Sequence, residues 1–242
     1  MFIQMRFIMK KIASILLIVF VLSSCNIFKK EIIRRGQIEP PFTVELNSPQ
    51  VPVKQIEAQF NRAFPLTGII KREISVSYYP YEDAVCLQFR LNTLTYHQFW
   101  HKAGREAFLK AYAKYSDDFS AQKLSNKNNN KTKNQYGTTE GNYLIWYMSN
   151  FTMRARGNMN VELGYYFREE SPFFATTLRE AYFKSPTMEK DSDQTSPIIP
   201  IFFTRSQAEE LSALFDENYL RSLAPDIQPA RRINTNADFE QY

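Results

Sequence analysis

The sequence predicts an α+β fold: an antiparallel sheet of about five or six strands packed by one long helix and one or two shorter ones. Three observations predict it. Segments of period-two alternation follow one another across polar turns, which makes hairpins rather than parallel crossovers. Two amphipathic stretches, over 96–119 and after residue 206, follow the helical period of 3.6. Only seven glycines occur in 242 residues, few for a barrel or sandwich built on glycine turns. With 44% hydrophobic and 23% charged residues the chain sits near the globular average, and its length suits one packed domain with tails.

In chain order, Ile56, Phe60 and Phe64 are spaced by four and predict a short helix over 53–64, stopped by Pro65. Ile74, Val76 and Tyr78 alternate with Ser75 and Ser77. After a turn at 80–83, Val85, Leu87, Phe89 and Leu91 alternate with Cys86, Gln88 and Arg90, so the two runs form a hairpin. This register puts Cys86 on the polar face, partly reachable by solvent. Thr95 and Gln98 match a capping box opening the long helix, with Trp100, Ala107, Phe108, Ala111, Tyr112, Tyr115 and Phe119 on one side and Lys102, Glu106 and Lys110 opposite.

Residues 121–142 are rich in Asn and Lys and nearly devoid of apolar side chains, so they predict a mobile loop. Strands are expected over 143–156 and 159–168, joined at Gly157-Asn158, and over 173–183 beyond Ser171-Pro172. A second polar loop covers 184–197, and a last short strand 198–203. Ser206 and Glu209 form another capping box, opening a helix with Leu211, Leu214, Phe215 and Tyr219 on one side and ending before Pro225. The domain is thus expected over 55–224, with a disordered tail at 225–242.

The N-terminus carries a targeting signal. Arg6, Lys10 and Lys11 precede an uncharged apolar run over 12–22. As a helix this run rises only about 16 Å, against roughly 30 Å of bilayer hydrocarbon. A basic start with a short apolar middle describes a secretory signal peptide, whose translation can begin at Met1, Met5 or Met9. Leu22-Ser23-Ser24-Cys25 then resembles the lipobox of bacterial lipoproteins. The resemblance spans only residues 9–25. It implies that the Cys25 thiol receives a diacylglyceryl group, that residues 1–24 are removed, and that the chain is exported and held by lipid on the outer or inner membrane.

Residues 25–54, with Pro40, Pro41, Pro49 and Pro52, read as a tether with one short edge strand at 42–46. Lys29, Lys30, Arg34 and Arg35 read either as contacts to anionic head groups, at about 1 kcal/mol each, or as part of a solvated linker. Removing residues 1–24 takes away three basic residues and no acid, lowering the charge from +5 to +2, without a nucleic-acid signature. A lipidated Cys25 leaves Cys86 without a disulfide partner, so the fold rests on its core.

His97 and His101, spaced i, i+4, would share one face of the predicted helix as in a zinc pair. The zincin motif requires Glu where this chain has Gln98, and there is no third His, so no metal is assigned. Cys86 reads as an inert structural thiol. No Gly-x-Ser-x-Gly, phosphate loop or dinucleotide fingerprint occurs, so neither catalytic residues nor a cofactor are assigned. Glu169-Glu170 reads as a solvated turn, and Arg154, Arg156 and the lysines of 123–133 as solvating charges or an anion patch. The strands carry Trp146, Tyr147, Tyr165, Tyr166, Phe173 and Phe174, whose alternate faces pack helices or show rings to a partner or lipid.

The expected role is therefore non-enzymatic: binding, or an accessory part of an envelope assembly, with the membrane (through Cys25) and an envelope protein as partners. A hydrophobic or carbohydrate ligand fits this class, and no motif selects between them. The alternative is an envelope hydrolase, metal-dependent or not, using His97 and His101.

Overall fold

The structure is a computed structural model that describes residues 44, 46–61, 68–128, 134–148, 154–181 and 195–227. Eight strands follow one another around a closed antiparallel barrel, each hydrogen-bonded to its neighbours in sequence. They are β1 (Val51–Asn61), β2 (Ile69–Tyr79), β3 (Ala84–Leu91), β4 (Leu94–His101), β5 (Gln135–Met148), β6 (Arg154–Arg168), β7 (Ser171–Leu178) and β8 (Ile199–Phe203). Helix α1 (Lys102–Ser120) joins β4 to β5, and α2 (Arg205–Leu214) and α3 (Glu217–Leu223) follow β8.

This corrects the expected α+β sheet of five or six strands. The sheet closes on itself where Gln59 and Phe60 of β1 pair with Phe202 and Ile201 of β8. Counting glycines misled because, although Gly68 (φ 116°) precedes β2, three other described turns do without glycine. Asp83 (φ 48°), Asn92 (φ 55°) and Glu169 (φ 54°) take the left-handed conformation instead, which Asp and Asn tolerate better than other side chains. The predicted β2–β3 hairpin is present, with Val76 opposite Leu87 and Tyr78 opposite Val85.

Alternation fills the barrel. Ile56, Ala58 and Phe60 on β1, Ile74 and Val76 on β2, Leu87 and Phe89 on β3, and Val161 and Leu163 on β6 all join one buried core. Phe89 sits between Phe60 and Tyr96, its ring 5.1 and 5.3 Å from theirs. An eight-stranded barrel leaves an interior just wide enough for such side chains. Outside, β1 and β2 carry charges, with Glu57 and Lys71 paired at 3.1 Å. On these two strands the apolar-in, charged-out pattern is the reverse of that in a membrane-spanning barrel. No described helix is long and apolar enough to cross a membrane.

The helix expected over 96–119 is corrected in its first part. Residues 94–101 are strand, with Thr95 and Gln98 inside it, and α1 starts only at Lys102. A spacing of four belongs to both periods, so Tyr96 with Trp100 and His97 with His101 look helical and extended alike. Burial of residues 96–101 on both faces hides the alternation that would decide. The rest of the prediction stands: Phe108, Ala111 and Tyr115 form the buried face of α1.

Both α1 and α2 follow strands that run towards one mouth of the barrel, and they close it. Phe108 is the keystone, its ring 5.7 Å from Trp100, 4.9 Å from Phe215 and 5.2 Å from Phe174. Helix α2 is capped reciprocally by Thr204 and Gln207, two residues upstream of the box expected at Ser206. It also lies along β1, where an ion pair joins Lys54 to Glu210. This covers the part of the β1 edge that the five-residue β8 is too short to pair.

Other elements shift. Residues 53–61 are strand, not helix. Gly157 and Asn158 lie within β6, opposite Leu144 and Tyr143, rather than in a turn. Strand β5 begins at Gln135, inside the stretch read as a loop, and β7 ends at Leu178. Val44 and Leu46 lie outside any strand. The signal segment, Cys25, most of the tether and the tail beyond 227 lie outside the described residues, as do 129–133 and 182–194.

Candidate functional site

Strand β4 decides the histidine question. His97 and His101 both face outward, but four residues of strand separate them by about 13 Å. The ligands of one tetrahedral metal lie far closer together. Among the described residues no group of His, Cys, Asp and Glu is placed to hold a metal ion. His101 serves as the N-cap of α1, its Nδ1 accepting from the Gly104 N–H at 3.4 Å.

The fold does bring Cys86 and His97 together, with Sγ 3.8 Å from Nδ1. His97 Nε2 lies 3.0 Å from the Tyr147 hydroxyl, and the two rings stack at 5.5 Å. Cys86 points outward with Gln88 and Arg90, as its register predicts, yet it is only 2% exposed, which corrects the expectation of solvent access. Its surroundings are Tyr79, Ala84, Phe99, Tyr143 and Ile145, with Val44 buried among them and Leu46 packed alongside. Burial pushes the thiol pKa far up, which disfavours the thiolate. Within this apolar wall the Cys–His–Tyr row supplies mutual hydrogen-bond partners.

A second polar centre escaped the sequence reading. Arg105, 1% exposed, donates to the Asp83 carbonyl at 2.6 Å, to Asp83 Oδ1 at 2.7 Å, to the Trp100 carbonyl at 3.2 Å and to Glu217 Oε2 at 3.3 Å. It ties the β2–β3 turn, α1 and α3 together. The Tyr78 hydroxyl also donates to Asp83 Oδ1, and burial together with the Asp83 charge pushes this phenol up to about 12. Burial works against ionisation of Glu217. The Arg221 hydrogen bond and the charges of Lys102 and Arg105 prevail and hold it below the usual carboxylate range. One signal was available: the first turn of α1 has no acid and is followed by Arg105, the reverse of what the helix dipole favours.

Inside the barrel, Gln98, Trp100 and Asn142 are fully buried, and both amide atoms of Gln98, Trp100 Nε1 and Asn142 Oδ1 lack partners. Gly104 lets α1 approach this row, since a Cβ there would lie 2.6 Å from Asn142 Oδ1.

The outer face of β6, β7 and β8 is different. A groove of about 540 Å³ opens there, lined by Asn61, Gln135, Glu162, Tyr166, Thr177 and Arg179, with Phe202 at its floor. Glu162 and Arg179 pair across it at 2.6 Å. Arg168 does not itself line the groove, but its guanidinium lies 3.8 Å over the ring of the lining residue Phe202, and Nη2 donates to Oδ1 of the lining residue Asn61 at 2.5 Å. Arg168 Nε is buried without a partner, and no carboxylate among the described residues pairs with this side chain. Burial lowers its pKa. Of these residues only Tyr166 was singled out from sequence; outward alternation along β6 places Glu162 and Arg168 with it. Glu169 and Glu170 form the exposed β6–β7 turn, and Arg156 and Lys123 are exposed elsewhere.

The family described as "Uncharacterised Treponema protein" matches residues 44–222. The chain belongs to this Treponema family. No curated protein and no solved structure matches it. The span shared with the Treponema family takes in all eight strands, α1 and α2, and therefore the covered wall, the Arg105 tie and the groove alike.

Proposed function

We propose that this protein is a lipid-anchored lipoprotein of the bacterial cell envelope that acts by binding, as an accessory component of an envelope assembly, rather than by catalysis. The observation that carries the binding role is the ligand-sized groove on β6–β8, in a molecule whose Cys86, His97 and Tyr147 are packed into a covered wall. The lipobox at 22–25 supports the anchor. Two acyl chains hold a protein at a membrane stably where one does not. The hydrolase reading finds no support in histidines about 13 Å apart on one strand.

The test is intact and peptide mass analysis of the protein taken from membranes of its own host, beside Cys25→Ala. The expected product begins at a diacylglyceryl-modified Cys25, and the modification and processing vanish in the variant. An uncut chain, or an unmodified Cys25, would contradict the proposal.

A further inference from the structure

We infer that the β6–β8 groove binds a saccharide carrying a carboxylate, with Arg168 as the group that receives the acid. This deepens the binding role proposed above and rests on it.

Closure of the barrel narrows the field. The backbone groups beneath the groove are engaged in the β6–β7 and β7–β8 ladders. Along β6 and β7 an extended peptide therefore finds no free edge to join as a further strand, and recognition there falls to side chains. Those present are mostly planar and polar. Asn61 and Gln135 each offer an acceptor and two donors, Glu162 accepts, Arg179 donates, and the Thr177 and Tyr166 hydroxyls do both. Such a mixture matches a ligand whose hydroxyl groups also donate and accept. The half-buried Tyr166 ring, tilted 5.6 Å from Phe202, offers an apolar surface to the C–H side of a sugar ring. A volume of about 540 Å³ lies within the range of small-molecule sites and suits a mono- or disaccharide.

Charge adds the second half. Glu162 and Arg179 neutralise each other. Among the described residues Arg168 meets a neutral amide and an aromatic face but no carboxylate, and one donor of its fork is unmet. Asn61 and Phe202, which hold it, both line the groove. A ligand carboxylate taking the place of Asn61 on Nη2 forms the charge-assisted bond that the amide cannot, roughly twice as strong as a neutral one. An arginine so placed favours planar, two-pronged acids.

The experiment is calorimetric titration of the full chain purified in detergent, with two acidic sugars and their neutral counterparts: glucuronic acid against glucose, and N-acetylmuramic acid against N-acetylglucosamine. Inorganic phosphate serves as a bare anion. At least one acid is expected to bind, tenfold or more tighter than its neutral partner. Arg168→Gln is expected to erase that preference, and Tyr166→Ala to weaken the acid and neutral sugars together, with folding of both variants checked by circular dichroism. Binding of neither acid, an acid preference that survives Arg168→Gln, or phosphate binding as tightly as the sugars would each overturn the inference. The broader reading fails separately: a lipidated Cys25, with partner crosslinks from β6–β8, leaves it standing even when every sugar fails.

Discussion

The two walls of this barrel follow the same alternation and end in opposite states. On β3–β5 the outward residues Cys86, His97, Phe99, Tyr143, Ile145 and Tyr147 are buried, with Val44 packed on them. On β6–β8 the outward residues Glu162, Tyr166 and Thr177 remain partly open around a groove, with Arg168 half-buried against its lining residues Asn61 and Phe202. The covered wall holds the residue types that suggest catalysis, a thiol beside an imidazole beside a phenol. Burial keeps the thiol protonated and shields all three from a substrate. The open wall holds no such signature but has polar atoms that face space. Coverage, rather than residue type, decides which wall can act.

The largest expected difference between the walls is in packing. Phe99→Ala, on the covered wall, should cost about 3–5 kcal/mol in urea unfolding. Tyr166→Ala, at the groove, should cost clearly less, about 1 kcal/mol. Equal losses would erase the distinction. His97→Leu comes next: it strips partners from Cys86 and the Tyr147 hydroxyl, and about 1–3 kcal/mol should be lost. An unchanged unfolding midpoint would show that the row contributes nothing.

Smaller is the effect of acid on the contact between α1 and α3, where Arg105 meets Glu217. Glu217 has a folded pKa below its ordinary 4.5, so its contribution is complete above pH 4.5 and fades as pH falls through the folded value. Because the carboxylate is partly exposed, Glu217→Gln should cost only about 0.5–1 kcal/mol at pH 7, with the gap to wild type closing in acid. A gap that widens on acidification contradicts this sign. Smallest in energy is the chemistry of Cys86: a thiol reagent at neutral pH should label it only after denaturant is added. Rapid labelling of the folded protein would mean that the wall is open.

Legibility in the sequence followed exposure to water. The β2–β3 hairpin could be read because Ser75 and Ser77 are less buried than the apolar residues between them, so alternation is visible. The apolar face of α2 was clear for the same reason, with Leu211 and Leu214 buried and Glu209 exposed. Strand β4 could not be read, since Tyr96 to His101 are buried on both faces and every spacing of four fits a helix. Closure was invisible because it rests on two residue pairs far apart in the chain, Gln59 with Phe202 and Phe60 with Ile201. The groove depends on that closure: Asn61 and Arg168 meet across 107 residues of sequence, and no local pattern records their contact.

The most direct test of the difference between the walls is hydroxyl-radical footprinting of the intact protein, read residue by residue by mass spectrometry. Tyr166 and Phe173 on the open wall should be oxidised readily, while Cys86, Phe99 and Tyr143 on the covered wall stay protected until the protein unfolds. Oxidation of Cys86 and Tyr143 in the folded protein, with Tyr166 protected, would reverse the assignment of the two walls and remove the basis for placing function on β6–β8.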